Sequence, residues 1–154
     1  MASIKPKTTV MQRLEADCPT HSRADITVRD VSFVIDEPLE RDGTNLGPTP
    51  TETAIAALAA CTNVIGNKVA HKMGLNVSRM QVSVTSEFDR RGVTLAEEVD
   101  VPFRVVKLRV ELSTDASRSE IDALARDVAK YCPLAKLFRQ AGTQLEEEWV
   151  VRQD

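Results

Sequence analysis

The sequence predicts an α+β fold with a largely antiparallel sheet. Its elements read in the order β-β-α-β-β-α-β, with no repeated βαβ unit and no internal repeat. The two clearest strands each alternate apolar and polar residues, so each keeps one wet face, as antiparallel sheets commonly do. Both helical stretches open on capping boxes, which fixes where strands give way to helices. At 154 residues the chain is expected to be a single domain spanning 1–154, with a poorly patterned segment at 1–25.

Val10, Gln12 and Leu14 suggest a short edge strand within that segment. Ile26 to Ile35 is β-like but changes phase: Ile26 and Val28 alternate in one register, then Val31, Phe33 and Ile35 in the other. This predicts a bulge or bend at Arg29-Asp30. Leu39 to Pro48, with Gly43, Asn45 and Gly47, is a loop.

Thr49-Pro50-Thr51-Glu52 places Thr49 at the N-cap, Pro50 at N1 and Glu52 at N3 of a helix of about 24 residues. Ala54 to Cys61 is apolar all round, and Lys68, His71 and Lys72 suit the negative end of the helix dipole before Gly74. Strands follow around Met80–Phe88 and Val106–Leu112, joined by a charged loop, Asp89 to Asp100. Ser117-Arg118-Ser119-Glu120 opens a second helix, whose stripe Ile121, Leu124, Ala125 and Val128 breaks at Cys132-Pro133. The pattern resumes through Leu134, Leu137 and Phe138 to Gly142, and a last strand centres on Leu145, Glu147 and Trp149.

Composition excludes several functions. A net charge of −3 removes the usual electrostatic support for nucleic-acid binding. The longest unbroken apolar run, Ala54 to Cys61, is far short of the ~20 residues of a membrane span. No apolar leader follows Met1, so a cytoplasmic location is expected. There is no G-x-G-x-x-G, P-loop lysine, G-x-S-x-G, H-E-x-x-H or C-x-x-C. Neither a cofactor nor a metal is expected. A Cys-His hydrolase would need His21 or His71 beside a thiol, but His71 lies about 15 Å along the helix from Cys61.

Three cysteines remain: Cys18, Cys61 and Cys132. An odd count speaks against a disulfide framework. Cys61 ends the apolar half of the first helix. Cys132 continues the core-facing stripe of the second and sits at the N-cap position created by Pro133, where helix amides favour a thiolate. Both thiols can therefore face the same space between two helices, either as small buried hydrophobes or as chemistry. Cys18, before Pro19, reads as incidental.

Gly47-Pro48-Thr49-Pro50-Thr51-Glu52, the Ala/Leu-rich helix ending Ala59-Ala60-Cys61-Thr62, and Cys132-Pro133 about 70 residues later resemble the OsmC/Ohr family of osmotically inducible and organic hydroperoxide resistance proteins. Val34-Ile35-Asp36-Glu37-Pro38 and the closing Trp149-Val150 extend the resemblance over residues 25–151. It implies an OsmC-like fold: an intertwined homodimer with two long central helices and active sites at the subunit interface. It also implies a two-cysteine reductase of organic hydroperoxides, with Cys61 peroxidatic, Cys132 resolving, and an external dithiol, lipoyl-type in some members, as reductant. The family's acid maps onto Glu52 and its arginine onto Arg23, with Arg29 as competitor. Two features depart from the hydroperoxide-resistance pattern. Thr51 occupies the position directly after the helix-opening proline, and no glycine-flanked arginine is present. The alternative implied by these departures is a non-catalytic OsmC-like dimer, either binding a small apolar molecule or purely structural, with its thiols kept for packing.

Overall fold

The computed structural model describes residues 8–152. The first seven residues, part of the stretch read above for a leader, lie outside that range, as do 153 and 154. The chain divides into two compact units, the first ending at Thr53 and the second beginning at Ala54.

In the N-terminal unit, β1 (Glu15–Asp17), β2 (Ala24–Val28) and β3 (Val31–Ile35) form an antiparallel sheet in that order. The phase change at Arg29-Asp30 is a tight hairpin turn rather than a bulge within one strand. Val28 pairs with Val31, and Arg29 takes the left-handed conformation at φ 55°. The edge strand expected around Val10–Leu14 forms slightly later, at Glu15–Asp17.

The loop after β3 is wound around one buried carboxylate. Asp36 Oδ1 accepts the Glu37 N–H, while Oδ2 accepts the N–H groups of Thr44 and Leu46 and the Thr44 hydroxyl. Gly47 passes so close to the Val34 carbonyl that an added Cβ would lie 2.1 Å from its oxygen. Thr49 and Glu52 then close the predicted capping box. The Thr49 N–H donates to Glu52 Oε2 at 2.8 Å, and the Glu52 N–H donates to Thr49 Oγ1 at 3.2 Å.

That cap starts α1 (Pro50–Met73), which continues into the C-terminal unit and ends before Gly74 at φ +72°. By length and a mean hydropathy of 1.2 over 18 residues, α1 is apolar enough to cross a membrane. Yet it buries Leu58, Val69 and Ala70 in the core of this unit. Gly66 is needed for close approach: an added Cβ would meet Met80 Cε at 2.8 Å and the Trp149 ring at 3.5 Å.

Strands β4 (Val77–Phe88) and β5 (Phe103–Thr114) pair antiparallel. Val106, Leu108, Val110 and Leu112 are buried, while Lys107 and Arg109 point outward. Helix α2 (Arg118–Tyr131) carries the predicted Ser117–Glu120 box and buries Ile121, Leu124 and Val128. Helix α3 (Pro133–Gln140) follows at once, and β6 (Gln144–Val151) completes the sheet in the order β4-β5-β6. Among the described residues three of the four strand pairings are antiparallel, as expected of a largely antiparallel sheet, and β6 pairs with β5 in parallel. The α2–α3 crossover between them returns the chain to the starting end of β5, as a parallel neighbour requires. Of the long helices implied by the resemblance, this chain supplies one. The second helical stretch is divided into 14 and 8 residues.

Four donors converging on Asp36 hold its carboxyl down at about 2, the Thr44 hydroxyl contributing most. A group depressed in the folded state stabilises above its ordinary value near 3.9, and that contribution is lost as pH falls toward 2. Asp36→Asn should therefore lower the urea midpoint at pH 7, with the gap from the parent narrowing between about pH 4 and about pH 2.

Candidate active site

The site is built where α1 passes the α2–α3 junction. Cys132 precedes a proline, so its backbone is extended (φ −70°, ψ 110°) and the helix cannot run through it. It still serves both neighbours. Its N–H donates to Val128 O at 2.8 Å to close α2, and its sulfur accepts the Ala135 N–H at 3.4 Å to open α3. Its position on the Val128 stripe drives the side chain into the core, with no exposed surface. Cys61, one helical turn after Ala57 on α1, is half-buried. The two sulfurs lie 3.3 Å apart, in contact and about 1.3 Å beyond a disulfide bond length.

The expectation that helix amides make Cys132 a ready thiolate is corrected. Burial pushes the Cys132 thiol up, and the opposing amide of Ala135 does not offset it. Desolvation of an anion in an apolar core outweighs the backbone amides of Ala135 and Leu134. The pair is asymmetric: one enclosed neutral thiol, and one thiol with access to solvent.

One helical turn along α1 from Cys61, an apolar cleft of about 300 Å³ is lined by Ala54 and Ala57 of α1, Phe103, and Leu134, Leu137 and Phe138 of α3. Phe103 and Phe138 meet edge to face with centroids 5.3 Å apart. Leu134 and Leu137 read in the sequence as core, but Leu137 is 59% exposed at the cleft. The broad apolar face of α3 gave no signal of which of its edges the core leaves uncovered. A larger depression on the outer sheet face is lined by Lys107, Arg109, Glu146, Glu147 and Glu148; Lys107 pairs with Glu146, Arg109 with Glu148 and Glu147 with Arg139.

Of the other candidates, Arg23 and Glu52 have local partners within the N-terminal unit. Arg23 forms a forked pair with Asp25, at 2.7 and 2.9 Å, and this bond holds the guanidinium charged. Arg29 is the exposed turn residue. Glu52 is occupied by its cap, and the Thr49 N–H and hydroxyl hold its carboxyl below the usual range. His21, His71 and Cys18 are exposed. Among the described residues no three His, Cys, Asp or Glu side chains converge as metal ligands.

The OsmC-like protein family matches residues 43–148, which contain both thiols and the α1 capping box. The chain belongs to this family. Among solved structures, an OsmC-like protein from Mycoplasma pneumoniae superposes with a TM-score of 0.75 at 20% identity, covering 93% of this chain and 96% of that one. An organic hydroperoxide resistance protein OsmC from Legionella pneumophila gives 0.67 at 16% identity, covering 96% and 100%. The organic hydroperoxide resistance protein OhrB of Bacillus subtilis gives 0.59 at 20%, covering 93% and 98%. At these identities the likeness establishes the OsmC-like fold alone. No curated protein matches the chain.

Exposure sets an order of thiol reactivity. Limited alkylation of the native reduced protein, mapped by peptide mass, should label Cys18 and Cys61, with Cys132 protected at least tenfold until urea unfolds the chain. Equal labelling of all three would contradict the buried position of Cys132.

Proposed function

We propose that this OsmC-like chain reduces organic hydroperoxides with Cys61 and Cys132. The 3.3 Å sulfur–sulfur contact carries this reading, because it puts a second thiol in reach of any oxidised state of the first. Cys61, with solvent access, attacks the terminal peroxide oxygen. The O–O bond breaks, the alkoxide takes a proton and leaves as alcohol, and Cys61 becomes a sulfenic acid. Cys132 then attacks that sulfur, hydroxide leaves with the Cys132 proton as water, and a disulfide remains. The sum is two thiols and one hydroperoxide giving one disulfide, one alcohol and one water. An external dithiol restores the pair by exchange, becoming a disulfide itself. The apolar cleft suits the organic part of the peroxide.

Arg23, with Arg29 as the alternative, and Glu52 enter through the family resemblance, as a guanidinium that favours the thiolate and a carboxylate that orients it. The working unit is a homodimer. Helix α1 leaves Ala56, Ala60 and Val64 exposed in the single chain, an apolar strip that a second copy would cover. Thiols that must return to the reduced state suit a reducing compartment such as the cytoplasm. A second reading, an apolar-ligand binder without redox chemistry, is favoured by the cleft itself, whose lining does not include the thiols.

Treatment with one equivalent of tert-butyl hydroperoxide separates the two readings. The reductase loses two of its three titratable thiols and about 2 Da of mass as a Cys61–Cys132 disulfide. Cys61→Ser should consume no peroxide, and Cys132→Ser should stop at the sulfenic or overoxidised form. Three surviving thiols in the parent would leave only the binding reading. Light scattering at micromolar concentration should give twice the chain mass, and a monomer would contradict the shared assembly.

A further inference from the structure

We infer that Cys132 acts before any peroxide arrives: in the reduced protein its S–H donates to the Cys61 sulfur and holds Cys61 as the reactive anion. This rests on the proposed chemistry only for its purpose; the hydrogen bond itself is a property of the resting pair. Three observations support the direction of donation. The sulfurs are 3.3 Å apart, within hydrogen-bond range for sulfur. The Cys132 sulfur already accepts the Ala135 N–H at 3.4 Å, so its lone pairs face the start of α3 and its proton is left to point across to Cys61. Cys132 has no exposed surface, whereas Cys61 reaches solvent, so a single negative charge shared by the pair belongs on Cys61.

No charged side chain on the flanking elements of this unit replaces that donor. From Ala57 to Ile65, α1 carries no titratable group other than Cys61. At the end of α2, Lys130 is bound to Asp127 at 2.8 Å and Tyr131 is exposed beneath Lys72. On α3, Lys136 is exposed and Arg139 is paired with Glu147. The inward side chains of the sheet, among them Val106, Leu108 and Trp149, are apolar. Cys132 is thus a positioning residue for the attacking thiol as well as the second reactant. The proton it holds in the resting pair is the one that leaves with hydroxide when the disulfide closes.

The test uses the full chain carrying Cys18→Ser, which leaves only the pair, and needs no peroxide. The rate of Cys61 alkylation by iodoacetamide is followed by peptide mass from about pH 5 to about pH 10. Cys132→Ala should move the midpoint up by about one pH unit, a roughly tenfold slower reaction below it. Cys132→Ser, which keeps a donor, should recover at least half of that shift. Superposed profiles for Ala and parent would overturn the inference, as would a serine variant that behaves like alanine. Should the alanine variant fail to fold, ultraviolet thiolate absorbance of the Cys18→Ser protein decides. Two separate single-thiolate steps support the asymmetric pair, and two coincident steps overturn it. Because alkylation is independent of peroxide, a parent with the expected profile but no hydroperoxide consumption would defeat the proposed function and leave this hydrogen bond standing.

Discussion

The arrangement of the thiols depends on a proline one residue past the end of an amphipathic helix. Pro133 keeps Cys132 out of the helical conformation, so α2 must stop, and its fixed φ suits the first turn of α3. Without the break, the Val128 stripe would run on into a longer helix and Cys132 would be one more buried position on it. With the break, Cys132 is held by both helices at once, through its N–H on one side and its sulfur on the other. A residue fixed from two directions has little freedom to drift, and the sulfur contact with α1 inherits that rigidity.

The same placement sets the chemistry against a simple helix-dipole argument. A cysteine at a helix N-terminus is usually read as an acidic thiol. Here Cys132 is buried in the core that also holds Leu124, Val128 and Ala135, and the cost of desolvating an anion dominates. The outcome is a division of labour written in exposure: the enclosed thiol keeps its proton and the half-exposed one meets solvent. The cleft one turn from Cys61 adds apolar surface without a charged residue in its lining.

The N-terminal unit relies on a different constraint. A loop with two close-packed glycines and left-handed Asp42 and Asn45 would be poorly determined on its own. One buried carboxylate collects its amides and makes it specific. That loop delivers Thr49 and Glu52 to the start of α1. The carboxylate read as a candidate for catalysis is, within this unit, doing the work of a cap, and Arg23 is likewise satisfied by Asp25.

Local chemistry made much of this legible in advance. Thr49-Pro50-Thr51-Glu52, Ser117 with Glu120, and Cys132-Pro133 each encode a helix boundary within four residues, and the structure begins and ends its helices there. Alternation likewise located β4 and β5. What the sequence by itself determined were features decided by near neighbours, together with a family frame that singled out two cysteines of three. Tertiary structure decided the rest: that β6 returns parallel to β5, that Asp36 organises a loop, that Leu137 lines a cleft, and that the sulfurs of Cys61 and Cys132 touch. The physical reason is range. A cap is satisfied by a residue three positions away, whereas desolvation and a contact across 71 residues exist only once the core has closed around them.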